Sequence, residues 1–211
     1  MTEINIDIRT KKLVSAYIDA PFDEGTEALT KEGYKIISLE ENARLRMHEG
    51  KNSYVSKNAN WVSQGVIYVP NKGIFLTKNS PILLNAKKAT DCHRAGKEFY
   101  LTSQQVEESL FDSAKLEAEA IPTNRFGEDE ITVYAFGDWA KQYGEFLKAA
   151  GINQMLIFLA NNTGNPFARQ VWFWNLDAWS GINGYNWDMY YNDIVRGVCE
   201  VPKDDLALGA S

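Results

Sequence analysis

The stretch from residue 171 to 198, which reads VWFWNLDAWSGINGYNWDMYYNDIVRGV, constrains the fold of this chain most. Eight of the 22 residues from Trp172 to Asp193 are Trp, Tyr or Phe, and Asn, Asp, Ser and Gly fill most of the gaps. Neither the Val, Ile and Leu runs of buried strands nor the period of amphipathic helices fits this stretch for long. Rigid aromatics beside adaptable amides are typical of an antibody paratope. The stretch predicts a binding surface; the alternative is a core of Trp and Tyr with an ordinary turn at Asn183-Gly184.

Composition limits the class of protein. A chain of 211 residues can form one large domain or a main domain with a small appendage, and 45% hydrophobic with 24% charged residues is typical of a folded protein. The net charge is −6 and the Lys and Arg residues form no stripe, so we expect no nucleic-acid partner. The sequence has no apolar run of about 20 residues, which predicts no membrane span. The polar N-terminus predicts no secretory signal.

The sequence is poor in catalytic and metal-binding side chains. It has two cysteines, Cys92 and Cys199, which we expect to be reduced and structural, and two histidines. Cys92 and His93 are adjacent, and neighbours on a helix point about 100° apart, which argues against a catalytic dyad. We therefore expect no enzyme and no cofactor. Calcium bound by side-chain oxygens is an open alternative, with the candidates Asp177, Asp188, Asp193, Asn186 and Asn192.

The part of the chain before Lys78 carries mainly strand signals. Alternation at Ile4, Ile6 and Ile8 predicts an N-terminal strand, followed by a loop from Ala20-Pro21. Further strands are predicted at 34–39, 52–55, 60–69 and 73–77, with one helical turn in 41–50. The turn sequence at 70–73 predicts a β-hairpin over 66–77.

Helical signals follow. Helices are predicted at 83–95, at 103–119 with an N-cap at Thr102-Ser103, and from 139 to a C-terminal Gly151. Residues 131–136 could form a strand or enter the next helix. Residues 155–160 are predicted to be a buried strand, 160–167 a loop, and residues after Pro202 a polar tail. This order predicts an α+β fold with two or three helices, short irregular strands and a turn-rich C-terminal surface.

Three segments carry a family resemblance. They are residues 77–103, residues 136–152 and, most specifically, residues 171–198. Together they resemble the variable proteins of diversity-generating retroelements, which adopt a C-type lectin fold related to the formylglycine-generating enzymes. The resemblance covers about residues 65–200. We expect an N-terminal β-rich region (1–64), either separate from the main domain or integrated with it, a C-type-lectin-like domain (65–202) with its variable region at 171–198, and a tail (203–211).

In that family, adenines of a template are replaced at random, so Asn-type codons become Asn, Tyr, Asp, Ser, Gly and others. The resemblance implies that the scaffold positions are Trp172, Leu176, Asp177, Ser180, Gly184 and Val195–Val198. It implies that the ligand-facing positions are Trp174, Asn175, Ala178, Trp179, Asn183, Tyr185, Asn186, Trp187, Asp188, Tyr190 and Tyr191. Arg196 could lie beneath this surface and hold loop carbonyls or Asp177; the alternative is a solvated arginine at the end of a strand.

The resemblance implies a non-enzymatic protein whose diversified C-terminal surface binds varied macromolecular ligands, chiefly proteins. It also implies a place on a virion or cell surface, reached without a signal peptide. The copper-binding chemistry of the formylglycine-generating enzymes needs a cysteine pair, and here Cys199 alone lies near that region. The alternative is a lectin-like module with a fixed carbohydrate ligand, in which Trp faces stack on sugar rings. The sequence predicts no oligomeric state.

Overall fold

One mixed sheet organises the fold. The structure, a computed structural model, describes residues 3–9, 13–161, 164–176, 180–185 and 188–200. The described strands form a 12-stranded sheet with the main order β1-β2-β12-β4-β10-β11-β9-β8, in which β5 also pairs with β4 and β7, β3 with β12, and β6 with β10. The strands are β1 (Asn5–Arg9), β2 (Leu13–Ala20), β3 (Lys35–Ile36), β4 (Asn60–Val69), β5 (Gly73–Thr77), β6 (Phe99–Tyr100), β7 (Ser113–Lys115), β8 (Ala120–Pro122), β9 (Gln154–Leu159), β10 (Phe167–Phe173), β11 (Gly181–Gly184) and β12 (Asp193–Glu200).

Helices cover both faces of this sheet. They are α1 (Phe22–Lys31), α2 (Leu39–Glu49), α3 (Tyr54–Lys57), α4 (Ala86–Arg94), α5 (Ser103–Phe111), α6 (Glu130–Phe136) and α7 (Ala140–Ala149), with short 3₁₀ turns at Leu83–Asn85, Thr123–Arg125 and Gly137–Trp139. One core cluster packs α2, α6 and α7 against one face, and the other packs α1, α4 and α5 against the opposite face. Because strand side chains alternate between faces, Trp61 and Val62 of β4 enter different clusters. The described residues therefore form an α+β fold with more helices than the two or three predicted.

Several predicted elements are confirmed. Residues 60–69 and 73–77 form β4 and β5, which pair as the antiparallel hairpin that the turn sequence predicts. The helix at 83–95 is present as a 3₁₀ turn followed by α4. Thr102 caps α5 through a capping box with Gln105. The helix α7 ends before Gly151, whose φ of 93° suits a residue without a side chain. The strand at 155–160 is present as β9.

The loop predicted after Ala20-Pro21 is wrong, because α1 begins directly after Pro21. Proline is well tolerated at a helix start, where its missing N–H would have no intrahelical partner. Asp23 and Glu24 lie in the first turn and Lys31 in the last, which suits the helix dipole. The sequence therefore carries a helix signal here, although the proline resembles a break.

Three other boundaries also differ. The strand predicted at 34–39 is reduced to β3, because Ser38 starts α2 by a capping box with Glu41, and α2 extends well beyond one turn. Residues 54–57 form α3 rather than a strand. The helix predicted at 103–119 ends at Phe111, because residues 113–115 pair with β5 as β7. Residues 131–136, left open by the sequence, form α6.

The N-terminal region is part of the same sheet. β2 lies between β1 and β12, and the predicted boundary at residues 64 and 65 falls inside β4. β12 pairs with β2 along all eight of its residues, from Asp193 opposite Ala20 to Glu200 opposite Leu13. β12, the last described strand, therefore lies between β2 and β4, and both of these strands come from the N-terminal part of the chain. Within the described ranges, no helix has the length and apolar character needed to cross a membrane.

Candidate functional site

The candidate binding surface consists of two loops that flank β11. The first loop follows β10 and is described at residues 174–176 and 180, and the second leads into β12 and is described at residues 185 and 188–192. β11 lies between β10 and β9, so both loops start from paired strands. Four of the predicted ligand-facing residues, Ala178, Trp179, Asn186 and Trp187, lie outside the described residues, as does the predicted scaffold residue Asp177.

The first loop is held by α3. The backbone N–H of Leu176 donates a hydrogen bond to the carbonyl of Ser56 (2.8 Å), and the side-chain amide of Asn175 donates to the carbonyl of Lys57 (2.9 Å). The backbone N–H of Trp174 donates to the carbonyl of Gly181 (3.0 Å). Ser56 and Lys57, to which the sequence analysis assigns no role, therefore support this loop. Asn175 is half-buried by this contact.

The second loop is anchored at Met189. Its side chain is fully buried in the cluster that contains Trp61 and Trp172, and its carbonyl accepts a hydrogen bond from the N–H of Phe22 at the start of α1 (2.8 Å). Trp174 packs against the same cluster. The two loops therefore share one buried support.

Acidic and aromatic residues stand next to Met189 in the sequence. The hydroxyl of Tyr190 donates to Oδ2 of Asp188 (3.2 Å), and the ring centroids of Tyr190 and Tyr191 lie 4.6 Å apart. The hydrogen bond with Tyr191 is the main cause that raises the pKa of Tyr190 to about 12, with smaller contributions from burial and Asp188. Tyr190 therefore remains a neutral hydroxyl at physiological pH. Tyr191 is 58% exposed, so most of its ring is accessible to a partner.

Asn183 differs from its predicted ligand-facing role. Its side chain is only 5% exposed, and its Oδ1 accepts a hydrogen bond from the N–H of Tyr185 (2.7 Å). It thereby supports Tyr185, which is 48% exposed at the start of the second loop. Asn183 is buried because it pairs with Trp172 on one side and Phe158 on the other, and at this position the face of the sheet on which they lie is covered by other parts of the protein.

The described scaffold positions are buried. Trp172, Leu176, Ser180, Gly184 and residues 195–198 all fall in this class. Trp172 contacts Trp61 edge-on with a centroid distance of 5.0 Å. A Cβ on Gly181 would lie 2.5 Å from the carbonyl oxygen of Leu156, so only glycine allows β9 and β11 to approach this closely.

Tyr68 fixes the end of β11. Its buried hydroxyl donates to the carbonyl of Gly184 (2.7 Å) and accepts from the N–H of Ala160 (3.1 Å). Burial raises the pKa of Tyr68, so the hydroxyl keeps the proton that it donates. The bond joins the end of β11 to the residue that follows β9, which stabilises the start of the second loop.

Arg196 is a buried cation rather than a solvated arginine, and its partner lies in another part of the chain. Its Nη1 lies 2.8 Å from both carboxylate oxygens of Asp7 and donates to the hydroxyl of Ser15 (2.8 Å). The guanidinium also lies 5.3 Å from the ring centroid of Tyr17. Arg196 therefore joins β12 to β1 and β2, in place of the predicted loop carbonyls.

His93 lies in α4 with 7% of its surface exposed, and neither ring nitrogen has a hydrogen-bond partner among the described residues. Burial is the main cause that lowers the pKa of His93 to about 4; the Arg169 cation acts in the same direction and Asp188 in the opposite one. The imidazole is therefore neutral at physiological pH. A buried histidine with such a low pKa is a weak base. His93 is therefore poorly suited to deprotonate the adjacent Cys92, which is free and half-buried.

This pKa gives a pH-dependent stability. Histidine in an unfolded chain has a pKa of about 6.5. Below that pH the unfolded state therefore binds a proton at His93 more readily than the folded state does, and unfolding is favoured. We expect the contribution of neutral His93 to be complete above about pH 6.5 and to be lost as pH falls to about 4, by about 3 kcal/mol. Urea unfolding at several pH values measures this loss. In His93→Leu, which cannot titrate, the decline should be smaller by that amount; parallel curves for the two proteins would contradict the prediction.

The described acids do not form an obvious metal site. Among the residues that the structure describes, no group of three or more His, Cys, Asp or Glu side chains could hold a metal ion. Two candidates for calcium ligation, Asp177 and Asn186, lie outside those residues. Asp188 is engaged by the hydroxyl of Tyr190.

Sequence reasoning misses one exposed aromatic beside the site. Phe158 in β9 is 36% exposed, and its ring lies edge-on to Trp174 with a centroid distance of 6.4 Å. The apolar run at 155–160 predicts a uniformly buried strand. In the structure Met155 and Ile157 are buried whereas Phe158 is exposed, so the strand alternates in burial although residues 155–159 are all apolar.

Comparison with known proteins identifies the fold. No protein family and no curated protein matches this sequence. The chain is similar to a solved structure described as "Accommodation of massive sequence variation in Nanoarchaeota by the C-type lectin fold", with a TM-score of 0.63 and 15% sequence identity. The similarity covers 94% of this chain and 100% of that chain. The chain therefore has a C-type lectin fold, and the likeness extends well beyond the predicted residues 65–200.

Proposed function

We propose that this chain is a non-enzymatic ligand-binding protein whose surface at 171–198 is diversified by a retroelement and binds varied protein ligands. One observation carries the proposal: the described scaffold positions are buried, whereas Tyr185 and Tyr191 are exposed at the ends of the second loop. A sequence that must vary at one set of positions without unfolding needs this separation, because loops tolerate substitution when rigid elements fix them.

Two further features support it. The solved structure with this fold concerns the accommodation of massive sequence variation, which is the property proposed here. Tyr and Trp are the side chains that most often dominate protein interfaces, since they bury large areas at low entropic cost.

The diversification part is tested in the neighbouring DNA. We expect a reverse transcriptase gene and a near-copy of the codons for residues 172–193 that differs from them mainly at adenines. The adenine mismatches should fall at the exposed loop positions and spare the codons of Trp172, Leu176 and Ser180. Absence of both features would reject retroelement diversification and favour a fixed ligand.

The binding part is tested by display. A library would vary Asn175, Ala178, Trp179, Tyr185, Asn186, Trp187, Asp188, Tyr190 and Tyr191 on the otherwise unchanged chain, and would be selected separately against lysozyme and serum albumin. We expect binders to both targets. A library that yields none would reject the proposal. A glycan array with the natural chain, with and without calcium, separates the carbohydrate-binding alternative, which predicts sugar binding in place of selectable protein binding.

The aromatic side chains should differ in their effects. In a selected binder that keeps Tyr191, we expect Tyr191→Ala to weaken binding by about 2 kcal/mol without changing the melting temperature, because its ring is mostly exposed. Trp174→Ala should weaken binding and also lower the melting temperature, since Trp174 packs against the buried cluster. Calorimetric titration and thermal melting measure both quantities. Equal melting temperatures for Trp174→Ala and the parent binder would contradict the second expectation.

A further inference from the structure

Phe158 is the exposed end of a row of residues that crosses the sheet. The strand registers place Phe158 opposite Asn183, Asn183 opposite Trp172, and Trp172 opposite Trp61. Residues directly opposite in paired strands lie on the same face. Trp61 continues this row to Val195 in β12.

Exposure rises sharply at one end of this row. Val195, Trp61 and Trp172 are 0%, 1% and 4% exposed under α1 and its neighbours, and Asn183 is 5% exposed, whereas Phe158 is 36% exposed. The buried face therefore emerges at the surface at Phe158. There its ring meets Trp174, which begins the first loop of the candidate site.

The backbone at Phe158 is well fixed. β9 pairs with β11 through residues 156–159, and the N–H of Ile157 donates to the carbonyl of Glu119 (2.8 Å). The next residues are held by Tyr68, whose hydroxyl accepts the N–H of Ala160. A ring on such a strand is presented in a defined position, whereas side chains on the loops depend on the loop sequence.

We infer that Phe158, which lies outside residues 171–198, is a fixed aromatic ligand contact that works with Trp174 beside the varied loops. This inference rests on the proposed binding function and adds a constraint to it. Every ligand of this surface, whatever the loop sequence, places an apolar or aromatic group against the exposed part of the Phe158 ring. Diversification then changes the surroundings of this contact and leaves the contact itself unchanged.

The test uses the binders selected against lysozyme and serum albumin. Phe158→Ala is introduced into several binders to each target, and the control is Phe111→Ala. Phe111 is 91% exposed at the end of α5, a helix that packs against β4 and β5. We expect Phe158→Ala to raise the dissociation constant about 10-fold or more for most binders to both targets. Phe111→Ala should change it less than about 2-fold.

Folding is controlled in the same experiment. Binding is compared for variants whose melting temperature stays within about 3 °C of the parent. If Phe158→Ala melts lower, Phe158→Thr replaces it, because threonine suits a strand and lacks the ring. Phe158→Tyr keeps the ring and should retain the parent affinity.

The possible results separate the inference from the proposed function. Binders that tolerate Phe158→Ala or Phe158→Thr as well as Phe111→Ala would overturn the inference and leave the binding function intact. Loss of affinity with one target alone would show a contact of one loop sequence and would also overturn it. A library that gives no binder on the unchanged chain rejects the proposed function and this inference with it.

Discussion

Replacing Trp61 by alanine is expected to lower the free energy of unfolding by about 3–5 kcal/mol. The indole is 1% exposed and lies at the centre of the row across the sheet. Its ring centroid is 5.0 Å from that of Trp172 and 5.5 Å from that of Phe22. Its N–H has no hydrogen-bond partner among the described residues, so the loss is one of packing. Urea unfolding measures the change.

The same substitution should also affect the binding surface. Trp172 belongs to β10 directly before the first loop, and Phe22 donates the hydrogen bond that anchors Met189 in the second. A cavity at Trp61 loosens both supports. The matched control is Phe111→Ala, which removes an exposed ring and should change stability by no more than about 0.5 kcal/mol. A loss at Trp61 as small as that of the control would show that the cavity collapses or that the row is not a core.

The second large effect is expected for Asp7→Asn, which should destabilise the fold by about 3 kcal/mol. Arg196 is 1% exposed, and Asp7 supplies the carboxylate within contact distance of its guanidinium. Removal of that charge leaves a buried cation whose remaining contacts among the described residues are the hydroxyl of Ser15 and the ring of Tyr17. Hydrogen exchange of β1 and β2 should increase along with the loss of global stability.

Two variants separate the buried ion pair from general effects of charge. The double variant Asp7→Asn with Arg196→Met removes both charges and should recover much of the loss, because an apolar replacement avoids the buried cation. Glu117→Gln breaks an exposed ion pair with Lys115 (2.9 Å) and should leave the unfolding transition unchanged. If Asp7→Asn behaves like Glu117→Gln, β1 does not contribute to the stability of the sheet.

The contact between Asp7 and Arg196 is one of several that connect the N-terminal region to the strand after the second loop. The sequence of this region, before β4, carries no family feature. In the structure it provides β1 and β2, which lie on one side of β12, and α3, which holds the first loop. Because β12 directly follows the second loop, its pairing with β2 fixes the exit of the binding surface. This region is therefore part of the support of the candidate site.

The sequence by itself determined those elements whose signal is local. The β4–β5 hairpin follows from an apolar run and a turn that lie between Asn60 and Thr77, and α7 follows from its apolar spacing and Gly151. The division of residues 171–198 into scaffold and ligand-facing positions came from the family resemblance rather than from residue spacing, and the described scaffold positions, such as Trp172 and Leu176, are buried. Asn183, one of the ligand-facing positions that the resemblance implied, is buried by the sheet.

The tertiary structure alone decided the features that depend on distant pairing. The helix α5 ends at Phe111 because β7 pairs with β5. Arg196 forms an ion pair with Asp7, 189 residues away in the sequence. Phe158 is exposed because the covered face of the sheet ends there. Local patterns report hydrogen bonds and contacts within a few residues, whereas these outcomes depend on which surfaces meet. An apolar residue in a strand has the same sequence signal whether its face is covered or open, so only the assembled sheet distinguishes a core residue from a ligand contact.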